Sequence, residues 1–219
     1  MYKSYGFMTY DVYVIPSNIQ VTVETPEGEI ITQIRHIEST GADYDKLNYL
    51  NAMSRYVCSH NPDEKELVRR FKKVMARPDQ SELITGLAQI TGGTAFAVFF
   101  GCDLQDAVVA LIVCLMIVLV GRWLSRREGN PMIYNLILAF LSEVVIVTAV
   151  RSGLGHHPDR IMIGIVMLLV SALGAINGMR DVMQRNFISG SLEVMNSMLG
   201  AFGIAFGIAL AMMLMGNIS

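Results

Sequence analysis

The sequence has 219 residues, of which 53% are apolar and 15 are methionine, with a net charge of −2 and a mean hydropathy of +0.45. Soluble domains contain roughly 45–50% apolar residues, so this composition favours a membrane protein. A net charge of −2 does not provide the basic surface that is expected of a nucleic-acid-binding protein. Ten of the seventeen Lys and Arg residues precede residue 78, which predicts a polar head at 1–80 followed by a membrane domain at 81–219.

The first 80 residues predict a small α+β module. Three segments rich in Val, Ile and Thr alternate apolar and polar residues, as half-buried strands do, at 11–15, 19–24 and 29–37. Residues 44–58 then carry apolar side chains at helical spacing, and Asn61, Pro62 and Asp63 predict the start of a second helix with Asn61 as its cap. The first ten residues lack the pattern of a secretory signal.

Five apolar runs follow the head, and each has close to the roughly 20 residues that cross the hydrocarbon of a bilayer. They lie at 83–100, 107–124, 132–150, 161–179 and 192–215. The predicted fold class is therefore a polytopic α-helical membrane protein, with five transmembrane helices and a small N-terminal cytoplasmic α+β domain.

Basic residues predict the orientation of these helices. One basic cluster directly precedes the first run, and others flank the second and fourth connections: Arg69, Arg70, Lys72, Lys73 and Arg77, then Arg122, Arg126 and Arg127, then Arg180 and Arg185. The first connection, 101–106, has no basic residue, whereas the third, 151–160, has two. By the positive-inside rule, we expect an inner-membrane protein with its head in the cytoplasm and its C-terminus outside. The alternative for the first cluster is a solvated helix face.

Glu143 lies near the middle of the third run, roughly 16 Å from its start at 1.5 Å per residue. A charge at this depth costs on the order of 3 kcal/mol on insertion scales. Glu143 should therefore face the interior of the bundle, where desolvation favours its protonated form. We expect it to lie on the pathway of protons or substrate. The alternative is a structural acid that is hydrogen-bonded to a neighbouring helix.

A polar insert, residues 177–181, divides the last two apolar runs. It contains Asn177, Arg180 and Asp181, together with a glycine, and a bilayer tolerates such groups only beside protein, water or the interface. We expect a loosened helix there that contacts substrate. The alternative is a plain ion pair of Arg180 with Asp181 at the cytoplasmic end of the fourth span.

Two more acids stand at the starts of runs. Asp106 begins the second span and is either a substrate contact or an N-terminal cap. Glu193 opens the fifth span and has the position of a helix cap. Both are included in the predicted substrate and proton pathway.

Small residues recur on successive turns of the last two runs, at Gly174 and Gly178 and at Gly203 and Gly207. This spacing predicts close helix packing in lipid rather than a ligand site.

Few features indicate metal, cofactor or catalytic chemistry. His156 and His157 are adjacent but have no partner motif, and the three cysteines show neither pairing nor metal-ligand spacing. The sequence has no phosphate-binding loop, no zinc-protease motif and no nucleophile elbow. We therefore predict no metal, no cofactor and no enzyme activity.

Four segments, in this order, carry a resemblance to a known family: DVYVIPSNIQVTVETPEGEIITQIRHI, GADYDKLNYLNAMSRYV, FFGCDLQDAVVA and GIVMLLVSALGAINGMRDVMQRNFISGSLEVM. The strongest portion is Asn177, Arg180 and Asp181, followed by Gly190 and Glu193. The chain resembles the threonine/serine exporter family, in particular the larger chain of its split form, which is made of two separate membrane chains. Where that family usually has a Pro-Gly pair, this chain has Ser171 and Ala172, so we expect a straighter fourth span.

The resemblance implies secondary export of small polar metabolites driven by the proton gradient. Hydroxy amino acids are the family's named substrates, and dicarboxylates such as succinate are associated with the split form. It also implies a second small multi-span subunit and a higher oligomer. A midplane acid and a polar insert between helices are themselves typical of transporters. The alternative is a non-transporting scaffold or receptor whose cytoplasmic head binds a ligand.

Overall fold

The computed structural model describes residues 5–15, 17–37, 43–78 and 80–216. The chain divides into two compact units, Met1–Gln80 and Ser81–Ser219. In the described residues, three strands and two helices form the first unit, and six helices form the second.

The strands of the first unit form one antiparallel sheet in the order β1 (Tyr10–Ile15), β2 (Asn18–Glu24) and β3 (Ile30–His36). Their bounds fall within one residue of the segments that alternation predicts. Gly28 has φ +82° in the second turn, a conformation that glycine adopts without a steric penalty. None of the described strand residues is buried within the unit, although β2 is partly covered.

Two helices complete the head, α1 (Tyr44–His60) and α2 (Glu64–Met75). The predicted cap of α2 is wrong by two residues. Asp63 is the cap, because its Oδ1 accepts the Glu66 amide at 3.1 Å, whereas Asn61 ends α1 in the left-handed conformation at φ 44°. Asn61 can take that role because asparagine tolerates positive φ better than most residues.

The second unit contains α3 (Glu82–Phe99), α4 (Leu104–Ser125), α5 (Pro131–Arg151), α6 (Pro158–Leu169), α7 (Ala172–Met183) and α8 (Phe187–Gly216). Within the described residues, α4, α5 and α8 are long and apolar enough to cross a membrane, and the pair α6–α7 makes a fourth span if it is one bent segment. The predicted count of five is therefore not confirmed. The first run, α3, falls short because it has only 18 residues and these include Glu82 as well as Thr, Gln and Gly.

The segment predicted as the fourth span, 161–179, is broken rather than straight, so the expectation from Ser171 and Ala172 is wrong. The axes of α6 and α7 differ by 53°. Val170 adopts an extended conformation, with ψ 126°, and the helix restarts at Ala172. A break therefore needs no proline here; the β-branched Val170 is a residue type that extended backbone favours.

The polar insert is regular helix, so the expectation of a loosened helix there is wrong. Residues 177–181 lie inside α7, and the chain turns only afterwards, at Arg185 with φ 70°. Helix α8 then begins at Phe187, so Glu193 lies in its second turn and is not its cap.

The glycines of α8 and α7 face helices of the same chain. A Cβ added at Gly203 would collide with the carbonyl oxygen of Met132 on α5, and one added at Gly207 would collide with the carbonyl of Leu136. Gly178 of α7 lies in the same way against the carbonyl of Gly190 on α8. Close backbone packing is thus present, but within the chain.

Among the described residues of the second unit, helix α4 contributes more buried apolar side chains than any other helix. Val113 and Cys114 are fully buried there, and they belong to one cluster with Leu138 and Ile146 of α5 and Ile165 of α6. This cluster holds α5 and α6 in place, and these are the helices that carry the site described next.

Candidate functional site

Glu143 lies in the interior of the second unit, eight residues before the end of α5. Its side chain is 2% exposed, and its Oε2 atom has no hydrogen-bond partner among the described residues. Leaving a buried carboxylate oxygen unsatisfied is costly. The structural alternative, an acid hydrogen-bonded to a neighbouring helix, does not account for this oxygen.

Glu143 lines a cavity of about 340 Å³ between α5, α6 and the end of α8. Val147 and Arg151 line it from α5, Pro158, Asp159 and Met162 from α6, and Met212, Met215 and Gly216 from α8. The walls are mainly apolar, and their charged side chains are one cation and two acids. Pockets of this size and character suit small ligands held by a few polar groups.

Arg151 fixes one edge of this cavity, because its Nη2 donates to the carbonyl of Met215 at 2.7 Å. This hydrogen bond joins the ends of α5 and α8. A guanidinium has five N–H donors, so one bond to a carbonyl leaves others for a ligand. The cavity can therefore offer donors at one end and carboxylate oxygens at Glu143 and Asp159.

Asp106 occupies a second buried polar site, away from the residues that line the cavity. It is fully buried, and it is not the cap of α4; Asp103 is, through Oδ1 accepting the Asp106 amide at 2.8 Å. Oδ1 of Asp106 accepts the amides of His156 and His157 at 2.7 and 3.2 Å, and its Oδ2 lies 2.9 Å from Nδ1 of His157. Asp106 thus anchors the loop between α5 and α6 to the start of α4.

The other predicted pathway residues lie along the α7–α8 hairpin. Asn177 and Arg180 are exposed on α7, and Asp181 and Glu193 are half-buried. The Oε1 atom of Glu193 lies 3.2 Å from where a Cβ of Gly174 would be, so Glu193 faces α7. None of these four lines the cavity at Glu143. The structure therefore brings the predicted residues together in three places rather than one.

Two charged residues of the cavity were not predicted as site residues, Arg151 and Asp159. A signal for Arg151 was present: residues 143, 147 and 151 are spaced by four, so they share one face of a helix. Asp159 had no such signal, because only the packing of α6 against α5 brings it there.

A set of membrane-length helices enclosing a buried acid and a cavity is the architecture of a membrane transport protein. The model of the family described as "Putative threonine/serine exporter" matches residues 1–215, and the chain belongs to this family. No curated protein and no solved structure matches the chain.

Proposed function

We propose that the chain is a subunit of a proton-coupled secondary transporter that exports small polar metabolites, of the threonine and serine type or dicarboxylates such as succinate. The observation that carries this proposal is the unpartnered carboxylate of Glu143 in the wall of the cavity. A buried acid without a partner can gain and lose a proton as its surroundings change, which is what coupling requires.

Substrate binding is supported by the charges around the same cavity. An amino acid carries a carboxylate and an ammonium group, and the cavity presents Arg151 for the first and the carboxylates of Asp159 and Glu143 for the second. Arginine is well suited to the carboxylate because its planar donors match it in pairs. A dicarboxylate would instead need protonated acids or a second cation.

The α7–α8 hairpin supplies the remaining residues of the proposed pathway. Asn177, Arg180, Asp181 and Glu193 are polar groups at or beside a bent helix pair. In transporters, broken helices of this kind hold substrates at their ends. We propose that Arg180 provides positive potential for an anionic substrate, and that Asp106 keeps the outer loop in place.

Five spans remain the proposed count, because α3 runs beside α4 over most of its length. Gly86 of α3 faces Val118 of α4, and Gly93, seven residues further along α3, faces Cys114 of α4. The two helices are therefore antiparallel neighbours. At 18 residues, α3 is about 27 Å long at 1.5 Å per residue, close to the roughly 30 Å of hydrocarbon.

Five spans place the two ends of the chain on opposite sides of the membrane. With the head in the cytoplasm, as the positive-inside rule predicts, the C-terminus lies outside. A second five-span chain of opposite topology would then complete the pseudo-symmetric plan that is common among carriers. We propose such a second small membrane subunit as the partner, in a higher oligomer within the inner membrane.

Labelling tests this topology. On a background without Cys58, Cys102 and Cys114, a cysteine at the exposed Leu154 should react with an impermeant maleimide in intact cells, because its loop is outside. Cysteines at Arg126 and Gln184 should react only after the membrane is opened. Reaction at Arg126 in intact cells would contradict five spans with a cytoplasmic head.

Transport itself is tested in inside-out vesicles from cells that express the chain together with a candidate for the proposed second membrane subunit. An acidic interior should drive accumulation of labelled serine, threonine or succinate above the level at equilibrium. A collapsed gradient should allow equilibration only. If no substrate of this class accumulates under an imposed gradient, the protein is not such an exporter, and the scaffold or receptor alternative gains support.

A further inference from the structure

A cluster of metal-ligating side chains lies where α4 begins and the loop between α5 and α6 returns. It consists of Asp103, Asp106 and His156, and one ligand atom from each lies within 4.8 Å of the others. His156 Nδ1 is 3.0 Å from Oδ2 of Asp103. These groups are distinct from those lining the cavity at Glu143.

Two of the three proposed ligands are held in place by hydrogen bonds to backbone amides before any ion binds. Asp103 is fixed because its other oxygen caps α4, and Asp106 is fixed by the amides of His156 and His157. His157 adds a further contact, with Nδ1 at 2.9 Å from Oδ2 of Asp106. A hydrogen-bonded partner behind a ligating carboxylate is the usual second layer of a metal site.

Access and donor chemistry both suit a cation. The side chains of His156 and Asp103 are 55% and 45% exposed, whereas Asp106 is fully buried behind them. One imidazole and two carboxylates are ligands that zinc and neighbouring divalent ions accept, at about 2.0–2.2 Å.

We propose that Asp103, Asp106 and His156 bind a divalent transition-metal ion of the zinc type. The bound ion joins the start of α4 to the loop that leads into α6. Because Pro158 and Asp159 follow directly and line the cavity at Glu143, an occupied site stiffens one wall of that cavity. The role is structural and does not depend on the transported substrate.

The test uses the full chain, purified without an affinity tag and stripped with a chelator. Calorimetric titration with zinc should show one ion per chain, and cobalt should give the visible absorption of a low-symmetry site. Zinc should also raise the melting temperature. His156→Asn and Asp103→Ser should weaken zinc binding by more than about 100-fold. His157→Gln changes a neighbour of Asp106 rather than a ligand, and should weaken zinc binding by about 10–100-fold.

Serine at position 103 keeps a helix cap, so Asp103→Ser should melt like the parent protein when metal is absent. His60→Gln, in the head, is the matched control and should bind zinc as the parent does. The proposal is overturned if no ion binds stoichiometrically, if His156→Asn and Asp103→Ser bind as well as the parent, or if His60→Gln abolishes binding.

Discussion

Glu143→Gln is expected to abolish accumulation of substrate driven by a proton gradient while leaving exchange of substrate across the membrane intact. Glutamine has nearly the shape of protonated glutamate but cannot release a proton. The variant would therefore pass through the same conformations without coupling them to proton flow. The change is also structurally mild, since Oε2 of Glu143 has no partner to lose among the described residues.

Two measurements on matched vesicles separate these outcomes. Gradient-driven uptake should fall to the level seen without a gradient, whereas exchange of internal unlabelled for external labelled substrate should proceed at the parent rate. Glu128→Gln, in the loop between α4 and α5, should behave as the parent in both assays, because a glutamine oxygen can still accept the Asn130 amide. Normal gradient-driven uptake by Glu143→Gln at every pH would show that Glu143 is structural and that coupling resides elsewhere.

The largest effect on stability is expected at Gly203. A Cβ at this position collides with the backbone carbonyl of Met132, and backbone cannot move aside as a flexible side chain can. Overpacking typically costs 1–3 kcal/mol and occasionally more. We expect about 1–3 kcal/mol for Gly203→Ala and about 3 kcal/mol or more for Gly203→Leu, measured by thermal unfolding in detergent.

Gly92→Ala is the control for Gly203→Ala, because a Cβ at Gly92 meets nothing within 4 Å. Replacing a helical glycine by alanine without a clash stabilises by roughly 0.5–1 kcal/mol. The two substitutions should therefore shift the melting temperature in opposite directions. If Gly203→Ala is neutral while the chain stays folded, α8 does not pack on α5 as described.

Local sequence patterns were sufficient to predict the elements that depend only on residues close together in the chain. Alternation predicts the three strands to within a residue, and the third apolar run, 132–150, coincides with α5 to within one residue at each end. The acid of the third span was also identifiable, because a carboxylate among apolar residues is rare in a membrane helix.

Tertiary contacts decided what local pattern did not predict. The break at Val170 could not be predicted from a proline, because none is present there. Asp106 has the sequence position of a helix cap, but it accepts backbone amides some fifty residues later in the chain. The cavity at Glu143 exists only because α6 and the end of α8 meet α5 there. The glycine pattern correctly indicated close packing, but spacing alone could not show whether the partner helix belonged to the same chain.

The break between α6 and α7 also constrains what surrounds the protein. Each half has 12 residues and spans only about 18 Å. If the pair forms one span, the two helix ends meet at a depth where hydrocarbon supplies neither hydrogen-bond donors nor acceptors. Every helix end leaves backbone amides or carbonyls without intrahelical partners, and lipid cannot satisfy them. Ser171 and Ala172 are exposed in the single chain. In that arrangement we expect a polar neighbour for them in the membrane: water admitted along the protein, or the backbone and side chains of another subunit.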